Sequence, residues 1–177
     1  MTPQRLSQQY ASDYRTLMLE AYERHPDAFT SSAAERAALP INWWESRLVD
    51  GPDAKEVVFG VLREGSLLGV AGLSFGTRER IHHKATLFGM YVPERHRRLG
   101  LGGKLVSAAL AFARARPGLR VVQLTVTVGN RQAQSLYERH GFVQFGLEPY
   151  AVAVGTEYVA KSHMWCNLAR ASDEARV

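Results

Sequence analysis

The chain has 177 residues, of which 46% are apolar and 22% charged, and its formal net charge is +5. This length and apolar content suffice for one hydrophobic core, so we expect a single domain over 1–177 with a loose tail from about residue 169. No apolar run reaches the roughly 18 to 20 residues of a membrane span, and the N-terminus lacks a signal-peptide core. Composition therefore predicts a cytoplasmic protein without a membrane partner.

The positive charge admits a polyanionic partner, but no helix-turn-helix, zinc-finger or RNA-binding signature accompanies it. We therefore expect no nucleic-acid partner. The six histidines and the single Cys166 lack the spacing of metal ligands, so no metal is expected. Cys166 has no partner for an internal disulfide and lies in an apolar stretch, which predicts a buried thiol.

The first half of the chain is predicted to hold helices followed by a hairpin. Apolar residues three and four apart, helix-capping residues and prolines set the expected limits. These are an edge strand at 3–7, a helix from Ser12-Asp13 to about His25, a short helix after the capping box Ser32 to Glu35, and another capped by Asn42. Strands at 57–63 and 67–75 flank a tight turn at Glu64-Gly65-Ser66.

The second half alternates strands and helices, which predicts a mixed α/β sheet. A central strand at 85–92 is closed by Pro93 and followed by a helix from Leu101. Next come a strand at 121–128, a helix opened by Asn130 and ended by Gly141, and strands at 142–145 and 162–168. We expect a long loop, through Glu148-Pro149-Tyr150 and Gly155-Thr156-Glu157-Tyr158, to join the last two strands.

Between the central strand and its helix lies a basic, glycine-rich turn, Arg97-Arg98-Leu99-Gly100-Leu101-Gly102-Gly103-Lys104. Glycines let the backbone lay its N–H groups against a ligand, and the unpaired amides of a helix start carry partial positive charge. Leu105 excludes both a dinucleotide fingerprint, which needs glycine there, and a P-loop, which needs serine or threonine. The turn therefore predicts a site for a phosphate or pyrophosphate on a larger molecule.

Two motifs together resemble one family. Arg97-x-x-Gly100-x-Gly102 is similar to the Arg/Gln-x-x-Gly-x-Gly/Ala signature of GCN5-related N-acetyltransferases, the GNAT superfamily. The segment from Asn130 through Ala133, Leu136 and Tyr137 to Gly141-Phe142 resembles the family's Asn-x-x-Ala-x-x-Leu-Tyr-x-x-x-Gly-Phe at every specified position. The two signatures stand in the family's order within 85–142.

This resemblance implies a GNAT-like mixed fold, with a central splayed β-sheet flanked by helices, and acetyl-CoA as cosubstrate. It implies a bulge near Met90, Tyr91 and Val92, whose backbone would bind the pantetheine arm and the developing oxyanion. Tyr137 is the matching proton donor for the departing thiolate. The remaining implied cofactor contacts are Arg97, Arg98, Gly100, Leu101, Gly102, Gly103, Lys104 and Asn130.

The general base is left open by the sequence. Several family members carry a glutamate on the central strand, where this chain has Thr86, Phe88 and Met90. A water chain is one alternative, and the candidate side chains are Glu79, Glu157, His82, His83 and His163. In the family the N-terminal helical pair lines the acceptor cleft, so Trp43 and Trp44 are candidates for its wall or for packing against the sheet.

The function that follows is transfer of an acetyl group to a primary amine by direct attack in a ternary complex. A small or amino-acid-like acceptor is expected, because no added domain could dock a protein. The alternatives are a protein N-terminal or lysine acetyltransferase and a non-catalytic acyl-CoA sensor. A homodimer also stays open, since members of the family often dimerise.

Overall fold

The structure, a computed structural model, describes residues 1–51 and 54–168, so the tail expected from residue 169 lies outside the described residues. The helices are α1 (Ala11–Arg24), α2 (Ala33–Ala37), α3 (Ile41–Ser46), α4 (Leu101–Ala115) and α5 (Arg131–Glu138). The strands are β1 (Gln4–Arg5), β2 (Glu56–Arg63), β3 (Ser66–Phe75), β4 (Lys84–Tyr91), β5 (Val121–Thr127), β6 (Val143–Val154) and β7 (Glu157–Asn167).

One sheet contains all of these strands, in the order β1-β2-β3-β4-β5-β7-β6. β4 and β5 are its parallel pair, and the other neighbouring strands are antiparallel. The mixed α/β sheet predicted from the alternation of strands and helices is confirmed.

The parallel pair is joined over a short length only. Its paired positions run from Lys84 opposite Val121 to Thr86 opposite Gln123. Beyond Thr86 the two strands separate, although β4 continues to Tyr91 and β5 to Thr127. The sheet is therefore splayed at its centre, as the resemblance implied, and we call this gap the opening.

A β-bulge lies on β4 where it borders the opening. Val70 of β3 pairs with Tyr91 and Gly72 with Phe88, so one residue of β3 faces two of β4, Gly89 and Met90. Gly89 has φ +59°, in the left-handed region that glycine adopts at little cost. The bulge expected near Met90 is thus present, and Gly89 produces it.

Helices cover the two faces of the sheet unequally. α4 and α5 pack on one face against apolar residues of β2 to β5 and β7, and we call this the α4 face. α1 and α3 pack on the other, the α1 face, against β2, β3 and the end of β4. On the α1 face Trp44 is 1% exposed and meets the Tyr14 ring edge-on, 5.6 Å between centroids. Trp44 is therefore a core residue, while Trp43 is only partly buried.

The prediction of a long loop between the last two strands is wrong. β6 and β7 form a hairpin whose turn is Gly155-Thr156. Proline is usually excluded from a sheet interior, but β6 is an edge strand, and Pro149 falls where the register shifts between Glu148 and Val152. Tyr150, with φ +57°, absorbs the same irregularity. A bulge, not a loop, accommodates the residues that suggested a chain reversal.

Two of the three helix starts expected in the first half of the chain also differ. α1 begins at Ala11 after a short 3-10 turn, ahead of Ser12-Asp13. Asn42 lies inside α3, because Pro40 precedes the first turn and already has a compatible φ of −67°. The capping box is confirmed: Ser32 Oγ accepts from the Glu35 amide at 3.2 Å and Glu35 Oε2 accepts from the Ser32 amide at 2.8 Å.

Candidate active site

The glycine-rich turn leads into α4 through left-handed backbone at Arg98 (φ +65°) and Gly100 (φ +69°). No side chain caps the helix start, so its first amides are left for another acceptor. A Cβ on Gly102 would lie 2.9 Å from Met90 Cε and 3.3 Å from Leu136 Cδ2. The start of α4 therefore packs closely against both the bulge of β4 and α5, and its positive dipole end lies beside the opening.

The three cations of the turn have different surroundings. Arg97 Nε donates to the Val92 carbonyl at 3.3 Å, and its guanidinium also contacts Glu94 at 3.4 Å and His25 at 3.3 Å. Arg97 thereby ties the turn to the end of β4. Arg98 is exposed, and so is Lys104, whose Nζ donates to the Met1 carbonyl at 3.2 Å.

Several predicted contact residues can offer only their backbone to a ligand. Leu101 is 2% exposed within the core on the α4 face. Tyr91 is 4% exposed, and its hydroxyl donates to Glu20 Oε1 at 3.1 Å on the α1 side. Met90 and Val92 pack against the α4 face. Peptide N–H and C=O groups of β4 are what a ligand lying along the opening would meet, because the β5 partner is missing there.

Tyr137 and Asn130 lie on α5, at the side of the opening formed by the α4 face. Asn130 caps the helix, since its Oδ1 accepts from the Ala133 amide at 3.1 Å. Tyr137 is 7% exposed, and its ring meets Phe142 at 5.8 Å. Burial raises the pKa of the Tyr137 phenol to about 12. The phenol therefore stays protonated at neutral pH, which is the form that donates a proton.

Four of the five candidate bases lie away from the opening. His82 and His83 precede β4 at its opposite end, and six residues of strand from His83 to Gly89 span roughly 20 Å. Glu79 lies still earlier, in a 3-10 turn. Glu157 is the first residue of β7 and is exposed. It lies four residues before Lys161, the last position of β7 that pairs with β5, and so roughly 13 Å from that position.

His163 is placed differently. It lies in the middle of β7, opposite Thr125, a residue of the strand that forms one wall of the opening. Its Nε2 is 2.7 Å from Glu148 Oε2 on β6. This pairing could not be predicted from the sequence, because the expected loop placed Glu148 outside the strands. Phe88 of β4 lies with its ring over Gly72.

A buried lysine holds the loop after α1 against the ends of β5 and β7. Lys161 is 3% exposed, and its Nζ donates to the carbonyls of Asp27 and Ala28 at 2.8 and 2.9 Å and to Thr127 Oγ1 at 2.8 Å. Thr127 Oγ1 in turn donates to the Asp27 carbonyl at 3.0 Å. We call this set the lysine clamp. Desolvation lowers the pKa of Lys161.

Arginines and aromatic rings form a second cluster that the sequence did not reveal. The Trp43 ring lies between the guanidiniums of Arg36 and Arg47, each 4.7 Å from its centroid. Arg47 also lies 4.8 Å from the Phe88 ring and pairs with Glu56 at 3.1 Å. Arg36 has a buried Nε without a hydrogen-bond partner. Positive charge thus accumulates on the α1 face between α2, α3 and β4.

Bulge, opening and helix start meet at one end of β4, with a buried phenol on the neighbouring α5. The free amides, the glycines that allow close approach and the exposed cations fit the phosphate end of acetyl-CoA, and the gap between β4 and β5 fits its extended arm. The fold and this site define an acetyl-CoA-dependent acetyltransferase of the class that the two motifs resemble.

Comparison with known proteins gives the family. Residues 14–142 match the sequence profile of the acetyltransferase (GNAT) family. The chain is 30% identical over 122 residues to the L-amino acid N-acetyltransferase AaaT of Escherichia coli K12, covering 68% of this chain and 73% of that protein. The chain therefore belongs to the GNAT family, and it is an N-acetyltransferase.

Solved structures share its fold. An acetyltransferase of the GNAT family from Streptococcus pneumoniae superposes with a TM-score of 0.84 at 22% identity, covering 94% of this chain and 98% of that one. YncA of Salmonella typhimurium, a putative acetyltransferase solved with its cofactor acetyl-CoA, gives a TM-score of 0.79 at 20% identity, covering 96% and 95%. The expected splayed, helix-flanked sheet is the fold of these proteins.

The described residues contain neither a metal-binding cluster nor a membrane-spanning helix. In residues 1–51 and 54–168 no three histidine, cysteine, aspartate or glutamate side chains lie close enough together to hold a metal ion. Over the same part of the chain, every helix is too short or too polar to cross a membrane. Cys166 is buried as predicted, and burial raises the pKa of its thiol.

Proposed function

We propose that this protein transfers the acetyl group of acetyl-CoA to the primary amine of a small, amino-acid-like acceptor, by direct attack in a ternary complex in the cytoplasm. The observation that carries this proposal is the meeting of the β4 bulge, the opening and the start of α4 at Met90 and Gly102. In the proposal, the start of α4 binds the phosphate end of acetyl-CoA and the β4 bulge binds its acetyl end. The acceptor then enters from the α1 face. The loop that follows α1 and the helix α3 border this entrance.

The charge of the α1 face supports an acceptor that bears a carboxylate. Arg36 and Arg47 flank Trp43, and Glu56 offsets one of the two positive charges. The planar, forked guanidinium groups of these arginines are donors suited to a planar carboxylate. The related Escherichia coli protein is named as an L-amino acid N-acetyltransferase, which agrees with this acceptor class.

Each group of the chain has a defined task in the transfer. Acetyl-CoA, when bound, supplies the thioester that the acceptor amine attacks. The first amides of α4, with Arg98 and Lys104, hold the phosphates, while Arg97 fixes the turn and Asn130 fixes the start of α5. A backbone N–H of the bulge, at Met90 to Val92, donates to the carbonyl oxygen as negative charge develops on it. Tyr137 donates its phenolic proton to the departing sulfur and recovers a proton from solvent.

The test is release of the CoA thiol from acetyl-CoA against a panel of amino acids, other small amines and peptides. Wild type is compared with Tyr137→Phe and Gly102→Glu. We expect turnover on carboxylate-bearing amines, a fall in kcat of about 10²-fold or more for Tyr137→Phe, and loss of acetyl-CoA binding for Gly102→Glu. The last change places a carboxylate, and a side chain with no room, at the phosphate end of the site.

Matched controls separate these effects from general damage. Tyr150→Phe removes a phenol that is 77% exposed, and Ala111→Glu adds the same charge on the exposed side of α4, more than two turns further along. Both controls should keep wild-type turnover. Preference for peptides would contradict the proposal of a small acceptor. Tight acetyl-CoA binding without turnover on any amine would contradict the proposed transfer activity and favour an acyl-CoA sensor.

A further inference from the structure

His163 and Glu148 form a hydrogen-bonded pair on the sheet surface beside the opening. The Nε2 to Oε2 distance is 2.7 Å, and the two side chains are 34% and 51% exposed. The Phe145 ring lies 5.9 Å from the imidazole on the β6 side. Within the described part of the chain Nδ1 has no hydrogen-bond partner. The carboxylate therefore fixes the ring and leaves one nitrogen available to solvent or a ligand.

The strand register places His163 at the level of the chemistry. Thr86 of β4 pairs with Gln123 of β5, so Phe88 and Thr125, each two residues further on, occupy the same level and face on opposite walls of the opening. His163 is directly opposite Thr125 on the next strand. Side chains of such cross-strand pairs lie roughly 5 Å apart. The imidazole thus stands one strand behind the wall that faces Phe88.

One titratable group contacts His163, another lies two residues away on β7, and a third acts on that second group. Glu148 approaches from β6, and Lys161 lies two residues before His163 on β7, in the lysine clamp. Asp27, in the loop after α1, acts on Lys161 through its charge. Strand β5 contributes the uncharged Gln123 and Thr125 to this face. The imidazole therefore has one carboxylate in contact and one buried cation near it.

We propose that His163, oriented by Glu148, is the general base that deprotonates the acceptor ammonium group. This inference rests on the proposed function, and it assigns to β7 the task for which Thr86, Phe88 and Met90 of β4 offer no carboxylate. An imidazole beside a carboxylate can accept a proton near neutral pH and is held in the tautomer that leaves its free nitrogen basic. Among the five candidate bases it is the one placed beside the opening.

Protons and bonds balance in this step. Nδ1 of His163 takes one proton from the ammonium group and passes it to solvent. The freed nitrogen forms the bond to the acetyl carbonyl carbon while the carbon–sulfur bond breaks, and it loses a second proton to solvent on becoming an amide. The sulfur receives the phenolic proton of Tyr137, which solvent replaces. Ammonium acceptor and acetyl-CoA thus give amide, CoA thiol and one released proton.

The experiment measures kcat/KM against pH from 5.5 to 9.5, and acetyl-CoA affinity by calorimetry, for wild type, His163→Gln and Glu148→Gln. His163→Gln should lower kcat about 10²-fold or more near pH 7.5, leave acetyl-CoA affinity unchanged and remove the acid limb of the profile. Added imidazole should restore part of the rate. Glu148→Gln should lower kcat by a smaller factor, because the imidazole loses the carboxylate that orients it. His82→Gln, an exposed histidine at the far end of β4, is the control.

The outcomes separate the two proposals. Suppose that wild type binds acetyl-CoA and turns over, and that His163→Gln has a normal rate and an unchanged acid limb. This result overturns the role of His163 and leaves the proposed function standing. Wild type without turnover on any amine overturns both. If His163→Gln does not fold, Glu148→Gln decides the matter, since a wild-type kcat in that variant then contradicts the pair.

Discussion

Replacing Tyr137 by phenylalanine should make the protein less sensitive to alkali. Burial raises the pKa of Tyr137 to about 12, while in the unfolded chain the phenol titrates at its ordinary value near 10. Between these values the unfolded state has lost a proton that the folded state keeps, so the free energy of unfolding falls as pH rises. The stabilising contribution is complete below pH 10 and disappears as pH approaches 12.

The size of the effect follows from the two pKa values. At pH 11, one unit above the unfolded pKa and one below the folded one, the loss is about 1.4 kcal/mol per tyrosine. Tyr14, whose pKa burial also raises to about 12, adds a second such loss. Wild type should therefore lose about 1.4 kcal/mol more than Tyr137→Phe between pH 8 and pH 11.

Urea unfolding followed by circular dichroism at pH 8, 10 and 11 measures this difference. Tyr150→Phe, which changes an exposed phenol, should lose as much stability as wild type over the same range. Parallel curves for wild type and Tyr137→Phe would refute the reasoning, because they would mean that the Tyr137 phenol is hydrated in the folded protein. The burial of Tyr137 beside the opening would then be contradicted, while its protonation at neutral pH, which an ordinary phenol also shows, would not.

Three further changes test other parts of the structure by the same unfolding assay. Gly89→Ala should lower the free energy of unfolding by about 1–2 kcal/mol, because Gly89 has φ +59°. Steric contact adds nothing, since the atom nearest to a Cβ would be 3.6 Å away. The control is Gly146→Ala, where a Cβ has room and the backbone is not left-handed. Lys161→Met should cost about 2–3 kcal/mol by leaving buried acceptors of the lysine clamp unpaired, and should raise KM for the acceptor more than for acetyl-CoA. Ser32→Ala should cost about 1 kcal/mol through loss of the capping box.

The sequence predicted those features that depend on local chemistry. Glycines at 100, 102 and 103, between an apolar strand and an apolar helix, predicted a glycine-rich turn that leads into a helix. Asn130 caps α5, as its position predicted. The hairpin at Glu64-Gly65 was equally local, because both residues adopt the left-handed backbone that a two-residue turn requires. In each case residues adjacent in the chain determine the outcome.

Features that depend on pairing between distant residues were missed. Pro149 and Tyr150 suggested a loop, since only the position of β6 at the sheet edge makes proline tolerable there. The contacts of Lys161 with Asp27 and Ala28 join segments more than 130 residues apart. The His163 to Glu148 pair was hidden for the same reason, as it exists only in the correct register of β6 and β7.

The most direct test of this account is calorimetric binding of acetyl-CoA and of acetyl-pantetheine, which lacks the pyrophosphate and nucleotide, to wild type and Gly102→Glu. The account predicts that wild type binds acetyl-CoA much more tightly than acetyl-pantetheine, and that Gly102→Glu removes this difference while Ala111→Glu keeps it. Equal affinity of wild type for the two compounds, or acetyl-CoA binding unaffected at Gly102→Glu, would contradict a phosphate site at the start of α4.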